Sequence, residues 1–258
     1  MTRGVDQLSD WAVLQPGDRG QPRLHLRCTN DVATQVERRL GSVLGPRLPT
    51  RAQDQGEWTH RYPLSRSLAD DESAFLELLN RVLTLRIGPP VTVAIALDYY
   101  KDPSSHEDPQ QWTNTPTGEL VHRGKYAGSD DAGKQLAAEL AQFMERHPDL
   151  QNADVIVSVP SHSERRFSER LAKVVARLRG VSVVEIRDDV TNPVKDTDPE
   201  GRTAARYSVE TGAVEDKAVV VIDDVARTGE SLRSVAAYLK EQGARGVSVL
   251  VGVRTMRN

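Results

Sequence analysis

The chain has 258 residues, a net charge of −3, one cysteine, and hydrophobic and charged fractions of 38% and 28%. Such a composition suits a folded soluble chain with a sizeable core. It excludes a disordered chain, a disulfide framework and a global basic field for nucleic acid. No apolar run approaches the roughly 20 residues of a membrane span, and "MTRGVDQLSDW" carries no signal-peptide core, so a reducing cytoplasm is the expected setting.

In chain order, "RLHLRC" (23–28) predicts a short strand ending at Cys28, which reads as a small core residue. "DVATQVERRLGSVLG" predicts a helix capped at Asn30, with Val32, Val36, Leu40, Val43 and Leu44 on one face. The polar stretch 49–63 reads as loop. "DDESAFLELLNRVLTLRIG" predicts a second helix with Phe75, Leu79, Val82 and Leu83 inward. "GPP" at 88–90 is the expected boundary, giving an N-terminal α+β extension over 1–90 and a second domain over 91–258.

The second domain opens with a strand, "VTVAIALD", followed by an expected long loop over 101–119. A helix follows Ser129, with Ala132, Leu136, Leu140, Phe143 and Met144 inward and Asp130 and Asp131 favoured by its dipole. Strand 154–159 leads to a helix with Phe167, Leu171, Val174, Val175 and Leu178 inward, closed by Gly180. Strand 181–186, a polar connection over 187–217, strand 218–222, a helix closed by Gly243 and strand 246–253 complete the chain. Short apolar runs alternating with amphipathic helices predict an α/β fold, a parallel sheet flanked by helices.

The stretch "AVVVIDDVARTGES" (218–231) carries the chemistry. Two like charges sit side by side where a buried strand ends, and each carboxylate is costly to remove from water. Ligands of open parallel sheets bind at this edge. The turn after the aspartates enters a helix N-terminus, whose unpaired N–H groups and dipole suit a phosphate. Gly229 permits close backbone approach, and Thr228 and Ser231 add hydroxyls. A sugar phosphate satisfies both halves: vicinal hydroxyls for Asp223 and Asp224, a phosphate for the turn. A solvated aspartate pair that only caps the next helix is the plainer alternative.

On these residues the stretch resembles the phosphoribosyl-pyrophosphate (PRPP) loop of type I phosphoribosyltransferases: an apolar strand, two acidic residues and a Thr-Thr-Gly-x-Thr/Ser turn. The resemblance implies that Asp223 and Asp224 hold the ribose hydroxyls. It implies that Ala226, Arg227, Thr228, Gly229, Glu230 and Ser231 wrap the 5′-phosphate, Glu230 through its N–H. Arg227 departs from the family's first Thr, which removes a hydroxyl and adds a charge. The run from Asp154 through Val159-Pro160-Ser161-His162 resembles the pyrophosphate loop of the ComF-like branch, with Ser161, His162 and Ser163 as donors and Arg165 and Arg166 as cations. An ordinary capped helix is the alternative there. The connection 187–213 resembles the branch's mobile flap, loosely, with Arg202 and Arg206 as its arginine candidates and Arg202 taken as catalytic. "HRGKYAGSDDAGKQLAAELAQF" matches the branch's domain start at Lys125 and Tyr126. The likeness spans about residues 120–255, and Cys28 alone cannot make the zinc site of the branch's N-terminal region.

The implied activity is PRPP-dependent transfer of ribose 5-phosphate to a nitrogen acceptor, with Mg²⁺ carried by the diphosphate and no dedicated metal site. Positioning and charge stabilisation are the expected work, with no covalent nucleophile. The acceptor cover is expected before the core, in 1–90 or the 98–125 loop, with Trp112 and Tyr100 as stacking candidates. A protein partner on 1–90 and a homo-oligomer are further expectations. The second reading is a non-catalytic PRPP- or nucleotide-sensing effector acting through a partner, as in DNA uptake or retron-type defence. A third is a bare nucleotide-binding domain.

Overall fold

The computed structural model describes residues 5–15, 20–49, 57–161, 166–188 and 207–256. The chain divides into two compact units, Val5–Arg86 and, from Ile87 onward, a C-terminal unit.

The N-terminal unit contains β1 (Val5–Asp6), β2 (Asp10–Leu14), β3 (Arg23–Arg27), α1 (Asn30–Leu40), β4 (His60–Pro63), α2 (Asp70–Asn80) and β5 (Leu83–Leu85). Strands β2, β3 and β4 form an antiparallel sheet in that order, and β1 pairs antiparallel with β5. Several expectations shift here. Thr29 rather than Asn30 is the cap residue of α1, and Val43 and Leu44 lie beyond the helix, Val43 still buried. Residues 60–63, read as loop, form a strand because alternate main-chain groups pair with β3. The second helix stops at Asn80, and Leu83 belongs to a strand, since β-branched Val82 and Thr84 favour extension. Cys28 is buried, and burial pushes its thiol up to about 12, which leaves it unreactive at neutral pH.

The C-terminal unit contains β6 (Val91–Tyr99), α3 (Pro116–Lys125), α4 (Asp130–Arg146), β7 (Val155–Ser158), α5 (Phe167–Arg179), β8 (Ser182–Val184), β9 (Arg187–Asp188), β10 (Tyr207–Ser208), β11 (Ala218–Ala226), α6 (Glu230–Glu241) and β12 (Gly246–Arg254). Its parallel strands run in the order β6-β12-β11-β7-β8. Their continuous Val/Ile/Leu runs are buried on both faces: Ile95, Ile156, Val157, Val221, Ile222, Val249 and Leu250 are all inaccessible. β9 and β10 pair antiparallel across the 187–217 connection.

Chain direction sets the layers. The connections β6→β7 and β7→β8 advance one way along the sheet, and β11→β12 advances the other way. Right-handed crossovers therefore put α3, α4 and α5 on one face and α6 on the opposite face. α3 packs on α4 and α4 on α5, while α6 contacts β11, β12 and β6.

Helix α3 is an element the loop expectation for 101–119 missed. Thr115 caps it by accepting from the Gly118 N–H at 3.0 Å, and Pro116 supplies a preset first turn. The expected cap at Ser129 is present, its hydroxyl accepting from Ala132 at 3.3 Å, and the expected inward residues of α4 are buried. On α5, Leu178 is 55% exposed rather than inward. Ala172 and Ala176 fill the buried stripe, because the close contact with α4 takes small side chains.

Candidate functional site

The two aspartates are inside strand β11, not beyond its end. β11 pairs with β12 as far as Ala226↔Arg254, whereas its pairing with β7 stops at Ile222↔Ser158. Asp223 and Asp224 begin where β7 departs. This is also the point where the strand order reverses, with β7 leading to β8 on one side and β11 to β12 on the other. A crevice at such a switch point is the standard ligand position in open parallel sheets. Here it is a cleft of about 460 Å³, lined by residues that include Lys125, Pro160, Ser161, Asp223, Asp224 and Thr228.

Strand alternation decides what each aspartate meets. Gly252 lies beside Asp224 in the ladder, and a side chain there would meet Val121 of α3 and Leu136 of α4 at 3.2 and 3.4 Å. Asp224 shares that face and is buried beneath the helices. Its carboxylate is compensated by Lys125 from the end of α3, with Nζ 2.8 Å from Oδ2 and 3.1 Å from Oδ1. Asp223 is half-buried at the rim. Its Oδ1 accepts from the Ser168 hydroxyl at 2.7 Å and from the Asp224 N–H at 2.8 Å. Ser168, on α5, also lies 3.3 Å from Asp224 Oδ1. Burial, then the neighbouring Asp224 carboxylate, pushes Asp223 up to about 7, against the lowering effect of the Ser168 hydrogen bond.

The turn that follows opens a helix N-terminus. Gly229 has φ of +82° and begins α6 without a side-chain cap. Among the first-turn N–H groups, that of Glu230 is met by the Thr228 hydroxyl at 3.3 Å. Arg227, Thr228, Glu230 and Ser231 are exposed around this N-terminus, while Ala226 is buried as the last residue of β11. Across the cleft, Ser161 follows Pro160 past the end of β7. The next described residue is Arg166, whose left-handed backbone (φ 43°, ψ 48°) is uncommon for a non-glycine residue.

The structure thus brings Asp223, Asp224, Thr228, Gly229, Ser231 and Ser161 to one cleft, with Ala226, Arg227 and Glu230 on the same turn. His162, Ser163, Arg165, Arg202 and Arg206 lie outside the described residues. Lys125 and Ser168 were not among the expected site residues. Lys125 stood in the Lys-Tyr motif, but nothing local shows it reaching a residue 99 positions away. Ser168 reads as an ordinary first-turn helix residue. Tyr100 donates toward or accepts from His122 Nδ1 at 3.2 Å, and Trp112 Nε1 donates to the His106 carbonyl at 2.8 Å, so both aromatics already have local partners.

The phosphoribosyl transferase domain profile matches residues 129–257. The chain belongs to this family, and its sheet and switch-point cleft are the family's fold. Comparison with curated protein sequences gives no match. Among solved structures, the orotate phosphoribosyltransferase of Aeropyrum pernix is similar at 20% identity and TM-score 0.35, over 48% of this chain and 60% of that one. The purine phosphoribosyltransferase of Pyrococcus horikoshii Ot3 matches at 17% identity and TM-score 0.35, over 50% of this chain and 86% of its own. The adenine phosphoribosyltransferase of Leishmania tarentolae matches at 13% identity and TM-score 0.43, over 67% and 94%. Among the described residues, no helix is long and apolar enough to cross a membrane.

Proposed function

We propose that this chain is a PRPP-dependent phosphoribosyltransferase of ComF-like type that transfers ribose 5-phosphate to a nitrogen acceptor and releases pyrophosphate. The observation that carries the reading is a single switch-point cleft with two carboxylates on one wall and an uncapped helix N-terminus beside them. In this reading Asp223 and Asp224 accept from the ribose 2′ and 3′ hydroxyls. The N–H groups of 228–231, with the Thr228 and Ser231 hydroxyls, hold the 5′-phosphate. Ser161 faces the diphosphate. His162 joins the diphosphate site, and Arg202 a catalytic flap, on the family resemblance alone.

The chemistry asked of these groups is modest. The bond from C1 to the diphosphate oxygen breaks, its electron pair leaving with the diphosphate, and the acceptor nitrogen donates its lone pair to C1. The protein holds the sugar while positive charge develops on the ring, and the nearby carboxylates favour that charge. Mg²⁺ bound to the diphosphate would neutralise the leaving group. Among the described residues no cluster of three or more His, Cys, Asp or Glu side chains could hold a metal.

We assign residues 91–258 to the transferase and 1–90 to acceptor choice or partner docking. The described cleft residues all come from the first of these, which leaves acceptor selection to be supplied from elsewhere. The buried free cysteine agrees with a cytoplasmic setting. Calorimetry with Mg-PRPP, then pyrophosphate release with a panel of nucleobases, other nitrogen bases and ammonia, tests the function. Binding plus release with one acceptor is expected. Absence of PRPP binding overturns it, and binding without release from any acceptor favours the sensing module.

A further inference from the structure

Asp224 is 2% exposed and lies beneath α3 and α5, where an unpaired carboxylate would be strongly disfavoured. Burial of that kind is tolerated only with a matched partner, and Lys125 provides it. Its ammonium approaches both carboxylate oxygens, which fixes the plane of the carboxylate as well as its charge. Lys125 also lines the cleft, so its side chain borders the space the ligand would fill. It stands at the last residue of α3, where a cation is favoured by the helix dipole.

Resting on the transferase reading above, we infer that Lys125 is a positioning residue: its ammonium holds the Asp224 carboxylate in place so that the Asp223–Asp224 pair receives the ribose hydroxyls as acceptors. The pair with Lys125 carries one net negative charge instead of two. Ser168 ties the two carboxylates together, 2.7 Å from one and 3.3 Å from the other. Without the ammonium, two adjacent carboxylates in a poorly solvated cleft lower their mutual repulsion by taking up a proton. A carboxyl that holds a proton donates rather than accepts, which is the wrong sense for one of the two sugar hydroxyls.

The charged and titratable surroundings are few. From α3 come Lys125 and, behind it, His122 and Tyr126, whose ring lies 6.0 Å from the Lys125 ammonium. From the segment after β6 comes Tyr100, which burial first, and nearby groups including Asp224, hold above the usual phenol range. From α5 comes Ser168, which is neutral. From β12, Arg254 lies opposite Ala226, one turn of the pleat further on. Among the described residues, Lys125 is paired directly with the Asp224 carboxylate.

The test is carboxyl-carbon NMR of aspartate-labelled full-length protein titrated without ligand, alongside ribose 5-phosphate affinity across the same pH range. In Lys125→Met the titration midpoint of the pair is expected to rise by about one to three pH units. The affinity profile is expected to move with it, and Lys125→Arg is expected to return most of the shift. Where Lys125→Met does not fold, the comparison is made in an Asp224→Asn background, in which no buried charge is left unpaired. There, removing Lys125 must still raise the Asp223 midpoint. An unmoved midpoint in both backgrounds, or loss of affinity at every pH with no change of profile, overturns the proposal. If the midpoint moves but wild-type protein binds neither ribose 5-phosphate nor PRPP, the transferase reading fails and the charge role of Lys125 stands alone.

Discussion

Ser168 and Asp223 are joined by a 2.7 Å hydrogen bond from the hydroxyl to Oδ1. The bond links the first turn of α5, just after the loop that leaves β7, to the rim carboxylate of β11. Ser168 is itself buried, so the donor is held in place by packing. Removing it leaves Asp223 with one fewer donor to its charged form. Ser168→Ala should therefore raise the pH needed for ribose 5-phosphate binding and weaken affinity at pH 7 severalfold. Stability should fall by about 1.5–3 kcal/mol where Asp223 is ionised, the usual loss for a bond to a charged group. Unchanged affinity and profile in calorimetry would detach Ser168 from the site.

Asp223 also makes stability and binding run in opposite directions with pH. Its folded pKa, about 7, lies above the usual aspartate value near 4, so the folded chain holds a proton that the unfolded chain releases. The stabilisation from this group is complete below about 4 and is lost as pH rises through about 7, on the order of 1 kcal/mol per pH unit at most. Ligand binding needs the ionised form and should strengthen through the same window. Asp223→Asn should flatten the fall in melting temperature between those limits. A wild-type melting curve that climbs from pH 5 to 7, and an Asn variant that climbs equally, would count against this assignment.

The double variant Asp223→Asn with Asp224→Asn should abolish Mg-PRPP binding. Relief of like-charge repulsion alone would raise the melting temperature, but the ion pair between Asp224 and Lys125 alters that expectation. Asp223→Asn alone should be neutral or stabilising near pH 7. Asp224→Asn should lower stability by about 1–3 kcal/mol, less than for a fully buried pair because Lys125 is 30% exposed and can reach water. Normal PRPP affinity in the double variant would refute the sugar-binding role of the pair.

Gly229 needs a similar refinement. The sequence suggests that Gly229→Val would harm binding more than stability by blocking the backbone's approach to phosphate. The left-handed φ of +82° means that valine also strains the folded chain, by about 1–2 kcal/mol or more. Asparagine tolerates that region better, and a Cβ at this position meets nothing nearer than Ile87 Cγ1 at 3.4 Å. Gly229→Asn should fold nearly as well as wild type yet bind ribose 5-phosphate more weakly. Equal affinity in that variant would mean the turn does not contact phosphate closely.

The most legible parts of the chain were those whose physics is local. β7, β11 and β12 are continuous apolar runs, and Ser129 caps α4 as its side chain suggests. The turn 227–231 announced itself because glycine, hydroxyls and a helix start sit within five residues. What depends on pairing was less visible. β4 is polar in sequence and extended only because β3 offers it partners. β5 continued the apolar spacing of α2, so one period concealed the change to another. α3 hid in a stretch rich in Pro, Thr and Gly, although Thr115-Pro116 is itself a start signal. Lys125 and Ser168 reach the aspartates only through the stacking of α3 and α5 on the sheet, which no spacing in the sequence encodes.

The unequal ends of β7 and β11 work as a ruler. The β7–β11 ladder closes at Ile222, and β11 runs on to Ala226 before the 227–231 turn. At the usual rise per residue, the two turns stand about 13 Å apart along the strand direction, with the aspartates between them. That offset is fixed by hydrogen-bonded strands rather than by loops, so on the proposed reading it would act as a rigid gauge for a ligand with anionic groups at both ends and a polyol in the middle. Shortening β11 by one residue would change the measured length by about 3 Å and also swap the faces to which Asp223 and Asp224 point. Length variation in this strand should therefore be far less tolerated than substitution along it.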